Sequence, residues 1–153
     1  MVNETDNEQN KRVQRVPTQP PKREPAFSAQ TLAYLGDAVF ELMVREWLIR
    51  DKNTSVREYN RIAKNYVSAQ AQAKMYHLIY DRLSEEEQAI LKRGRNLHPV
   101  TRAKNAEMSD YRHATGLEVL FGHLYANGEM GRLREVFEMC AAPPLTPLII
   151  VKE

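Results

Sequence analysis

Between Leu32 and Glu41 the chain reads Leu-Ala-Tyr-Leu-Gly-Asp-Ala-Val-Phe-Glu, an apolar stretch that holds a glycine and a carboxylate side by side. Leu32, Leu35, Val39, Leu42 and Ile49 follow a 3.6-residue period and Ser28 stands in capping position, so the spacing predicts a helix. Ala38, Phe40, Met43, Val44 and Trp47 fill most of the remaining positions. A helix apolar nearly all round is expected in the middle of a domain. A carboxylate there costs on the order of several kcal/mol unless a cation, a set of donors or a metal compensates it. Gly36 costs about 1 kcal/mol against alanine in a helix interior, which predicts that another backbone comes close at that point. The pair Gly36-Asp37 therefore reads as a site.

With 153 residues, 42% of them hydrophobic and 27% charged, the chain has material for one core plus tails. Residues 1–26 are rich in Asn, Gln, Glu, Lys and Arg, with Pro17, Pro20, Pro21 and Pro25 close together, and read as a disordered tail. A helical domain is expected over residues 27–142, followed by a C-terminal tail over 143–153. Leu145 to Val151 are apolar enough to pack on the body or on a second subunit. The single cysteine, Cys140, excludes an intrachain disulfide and a cysteine-based zinc cluster. No apolar run reaches the ~18 residues of a membrane span, and the N-terminal stretch lacks the apolar core of a secretory signal. A cytoplasmic protein without membrane partners is the expectation.

The net charge is only +2, but from Thr54 to Lys104 ten lysines and arginines face five acids. Three of those acids, Glu85 to Glu87, belong to the first turn of a helix that Ser84 would cap, where they complement the helix dipole. What remains is a basic surface suited to phosphate backbones, or a solvated helix face. Further helices are expected from Thr54 or Ser55, from Ser68, from Ser84 to about Arg95 with Gly94 as its stop, from Asp110 behind a Ser109 cap, and from Met130 to Ala141. Leu97 to Met108 reads as a loop. The fold class is all-α.

The helix after Ser109 repeats the motif. Tyr111, Ala114, Thr115, Glu118 and Gly122 share a small, polar face with one carboxylate at its middle. If the two helices cross near Gly36 and Gly122, Asp37 and Glu118 converge. Converging carboxylates repel unless they share a cation, and one or two carboxylates with waters and a phosphate oxygen are a normal ligand set for Mg²⁺.

Leu35-Gly36-Asp37-Ala38-Val39 and the later Thr115-Gly116-Leu117-Glu118-Val119-Leu120-Phe121-Gly122 resemble the catalytic domain of the ribonuclease III family. Within that family the likeness is greatest to the bacterial Mini-ribonuclease III group, which lacks a double-stranded RNA-binding domain. Val67 to Ala73, Arg93 to Asn96, Ala103 to Asn105 and Asp110 to Gly116 extend it over about Ser28 to Ala141. The resemblance implies a ribonuclease III-like helical bundle in which Asp37 and Glu118 bind Mg²⁺ and carry catalysis. Two acids usual in the full-length enzymes are replaced here, by Ala33 and Thr115, as in the Mini group. Glu41 is either an outer carboxylate of the site or a surface partner of Arg45.

By the same resemblance the chain is an endoribonuclease that cuts double-stranded RNA in precursor 23S ribosomal RNA, with a ribosomal protein or pre-ribosomal particle as a further partner. Arg95, Lys104 and Arg112 are candidates for RNA phosphate contacts, against ordinary surface cations. His77, His98, His113 and His123 show no ligand-like spacing. A homodimer is expected, with Tyr34 either at its interface or in its own subunit's core. The competing reading is a non-catalytic RNA-binding or ribosome-associated helical module of the same fold.

Overall fold

The computed structural model describes residues 26–97 and 106–141; the expected tails except Ala26, and Lys104 and His98 in the expected loop, lie outside them. Among the described residues the chain is helical throughout: α1 (Ala29–Asp51), α2 (Val56–Val67), α3 (Ala69–Ile79), α4 (Glu85–Arg95), α5 (Ala106–Ala126) and α6 (Met130–Cys140), with a 3₁₀ turn over Tyr80–Arg82. Local chemistry starts four of them. Ser28, Ser55, Ser68 and Ser84 each accept a hydrogen bond from the backbone N–H three residues on. At α4 the Glu87 carboxylate reaches back to the Ser84 N–H, completing a capping box. Gly128, at φ 71, makes the turn between α5 and α6 in the left-handed region that glycine adopts without strain.

The helix at the centre is α5, not α1. Leu117, Leu120 and Phe121 are wholly buried, and α5 packs on α1, α3 and α4 together. Its Phe121 ring meets Phe40 of α1 edge to face at 5.1 Å. The expectation that α1 is buried all round is corrected: Tyr34 is 86% exposed, Leu42 63% and Ile49 60%. Tyr34, Ala38, Leu42, Arg45 and Ile49 recur at helical spacing and are all exposed, so they form one uncovered face. Composition alone does not separate a buried helix from one whose second apolar face awaits a partner.

Two other expectations change. The helix expected behind Ser109 starts at Ala106, so Ser109 lies inside α5 rather than at its cap. Gly94 is no stop: α4 runs through it to Arg95, and a Cβ at Gly94 would come within 2.7 Å of the Gly116 Cα. The glycine is there because α4 and α5 touch backbone to backbone. Glu87 also clamps α4 to α6, accepting from the Arg132 Nε at 2.8 Å and Nη2 at 3.0 Å.

Candidate active site

The crossing of α1 and α5 is built on two glycines. A Cβ on Gly36 would sit 1.7 Å from the Glu118 carbonyl oxygen, and one on Gly122 would sit 2.0 Å from the Leu32 carbonyl oxygen. No other residue type permits this approach without moving a helix. Gly36 is thus placed directly against the peptide of Glu118, and the next residue along α1 is Asp37. The negative charge of Asp37 acts on the Glu118 carboxyl across this crossing.

The two acids do not share one environment. Glu118 is half-buried, and its carboxyl is pushed up to about 7, first by burial and then by the negative charge of Asp37. Asp37 itself is exposed, which corrects the expectation of a carboxylate buried within α1. Gly36 takes the buried position, and the turn of the helix carries Asp37 out to the edge. The group that pays for desolvation is Glu118.

Among the described residues neither acid has a lysine or arginine within ion-pair distance. Thr115, which replaces a family acid, is buried and donates its hydroxyl to the Tyr111 carbonyl at 3.0 Å, within its own helix. Ala33 offers no ligand. Glu41 accepts from Arg45 at 2.6 Å, the surface pairing rather than a place at the site. Among the described residues no group of three or more His, Cys, Asp or Glu could hold a metal, and the oxygen donors of the expected site are the carboxylates of Asp37 and Glu118 alone. Two oxygen donors that repel each other fit a hard divalent cation that keeps several waters.

Of the cations expected at RNA, Arg112 donates through Nε to the Arg95 carbonyl at 3.1 Å and latches α5 to the end of α4. Arg95 donates to the Asn96 side chain at 3.2 Å. Arg112 thus has a packing role that spacing did not reveal. Beside them His113 lies 4.6 Å from the His77 ring and 4.7 Å from the Tyr76 ring. Burial holds the His113 imidazole below its usual range although Nδ1 lies 2.7 Å from the Ser109 carbonyl. Tyr34 stands clear of its own core, which removes the core reading for that residue.

Comparison with known proteins finds relatives by sequence and by structure. The Ribonuclease III domain family matches residues 30–129. Mini-ribonuclease 3 of Thermoanaerobacter sp. (strain X514) is 43% identical over 114 residues, covering 74% of this chain and 80% of that protein. Mini-ribonuclease 3 of Enterococcus faecalis (strain ATCC 700802 / V583) is 42% identical over 111 residues, 71% of this chain and 84% of that protein. A crystal structure of a Fusobacterium nucleatum protein superposes with a TM-score of 0.65 at 27% identity, covering 76% of this chain and 93% of that one.

Proposed function

The chain belongs to the ribonuclease III domain family, which makes it an endoribonuclease of the kind that acts on double-stranded RNA, and from that premise we propose that Asp37 and Glu118 hold Mg²⁺ and carry the cleavage. The observation that supports this reading is the Gly36/Gly122 crossing, which brings the peptide of Glu118 against the residue preceding Asp37. When bound, the metal supplies a water acidic enough to act as nucleophile near neutral pH and steadies charge on the phosphoryl oxygens. Asp37, exposed at the rim, is open to the solvent from which RNA arrives. Glu118, partly desolvated, holds a proton up to about pH 7 and must release it before its oxygens serve as ligands. The basic segment from Thr54 onward, with Arg95 and Arg112, supplies phosphate contacts to a duplex read through its backbone and shape. Lys104 joins that set on sequence grounds.

A duplex has two strands related by a local two-fold axis, and one kind of site cuts both most simply in a two-fold dimer. The uncovered face of α1, with Tyr34, Leu42 and Ile49, is the surface that suits such an interface. The cellular substrate in this reading is precursor 23S ribosomal RNA, met in the cytoplasm.

Incubating the purified protein with duplex RNA, with and without Mg²⁺, tests the proposal. Cleavage is expected only with the metal, and Asp37→Asn is expected to reduce it by at least about 10²–10³-fold while thermal unfolding stays unchanged. Activity of that variant within a few fold of wild type overturns the assignment of Asp37. A folded, RNA-binding wild type that never cleaves would favour the non-catalytic module.

A further inference from the structure

On the side of α1 away from the exposed Tyr34 face, α1 and α6 do not close on each other. Met43, Glu46, Trp47 and Arg50 from α1, Arg134, Phe137 and Glu138 from α6, and Ala141 at the cap of α6 line a groove of about 380 Å³. Both sets have the spacing i, i+3, i+4, i+7, so each helix presents one complete face to the gap. The floor is apolar and the rim charged: Trp47 stacks edge to face on Tyr66 at 5.2 Å, and Arg50 is paired with Glu46 at 2.9 Å. A trough of this volume holds on the order of a dozen waters against aromatic and thioether surface, an arrangement that favours an apolar guest.

The groove ends at Ala141, the last described residue, and the sequence that leaves it is Ala142-Pro143-Pro144-Leu145-Thr146-Pro147-Leu148-Ile149-Ile150-Val151. We propose that this segment of the same chain, led by Leu148 to Val151, packs into the α1/α6 groove over Trp47 and Phe137. Pro143, Pro144 and Pro147 disfavour a helical continuation, and an extended course is part of the proposal. At about 3.1 Å per residue in that conformation the ten residues reach about 30 Å, whereas Met43 to Arg50 spans only about 10 Å of helix. The segment therefore has length to turn back from Ala141 and run the whole groove. Its uncharged composition fits the floor, and the Glu46–Arg50 pair already neutralises one rim. The inference is independent of the catalytic reading, because none of these residues is at Asp37 or Glu118.

Trp47 is the chain's single tryptophan, so all tryptophan fluorescence comes from a side chain that lines the groove. Ile149→Asp in the full chain, and a variant ending at Ala141, are expected to shift Trp47 emission to the red and to raise its acrylamide quenching constant roughly twofold, as a covered aromatic meets water. Duplex cleavage by Ile149→Asp should stay at the wild-type level. A peptide of residues 142–151 added to the shortened variant should reverse the shift saturably. Unchanged quenching in the full-length Ile149→Asp variant overturns the proposal, whether or not the shortened variant folds. Wild-type protection of Trp47 that disappears on dilution would assign the groove to a second copy's tail and overturn the same-chain assignment.

Discussion

Glu118 is where protonation and function compete. Its carboxyl is raised from the usual range to about 7 in the folded chain, so between about pH 4.5 and 7 the folded state binds more protons than the unfolded one. The sign follows: the contribution of Glu118 to stability without metal is fully present below the unfolded value and is lost as pH rises through the folded one. Discounted for its partial exposure, the loss amounts to about 1–2 kcal/mol. Glu118→Gln should remove it, so that thermal unfolding of the metal-free variant no longer falls between pH 5 and 8. A wild-type unfolding temperature that is flat over that range would show that Glu118 is not perturbed. Since the metal needs the ionised carboxylate, the Mg²⁺ concentration for half-maximal cleavage is also expected to rise about tenfold per pH unit below 7.

At the scale of elements, the site depends on how closely α1 and α5 approach. Gly36→Ala puts a methyl carbon 1.7 Å from the Glu118 carbonyl oxygen, and the obstacle is backbone that no rotamer change can relieve. The helices must separate, at a cost of about 1–3 kcal/mol or more, and the carboxylates separate with them. Gly131→Ala is the control, since its Cβ meets nothing within 4 Å. We expect Gly36→Ala to lose both unfolding temperature and cleavage, and Gly131→Ala to lose neither. Cleavage at wild-type level by Gly36→Ala would mean that the crossing does not set the site. The same physics accounts for Gly94 against Gly116, so α5 is approached closely on two sides.

For the whole molecule, the open question is what covers the exposed face of α1. Tyr34, Leu42 and Ile49 lie on one stripe that a monomer would leave in water, on a helix whose opposite side is core. Tyr34→Asp is expected to give a folded monomer that cuts duplex RNA poorly. Sedimentation of the wild type as a monomer at micromolar concentration, with full activity there, would remove the dimer from the mechanism.

What the sequence determined by itself was local or pairwise: helices, serine caps, and two acids each set beside a glycine. Period and capping chemistry act over a few residues, so α2, α3 and α4 were legible almost to their ends. The convergence of Asp37 and Glu118 was legible as a condition, because a glycine inside each apolar helix marks a close contact without saying with what. Only the tertiary structure decided the rest. It made α5 the central helix, turned Asp37 outward while burying Glu118, and exposed Tyr34. It also showed Gly94 to be a contact and gave Arg112 to the end of α4. Each of these depends on which side of a helix meets which neighbour, and burial and proton affinity are properties of that meeting rather than of the residue.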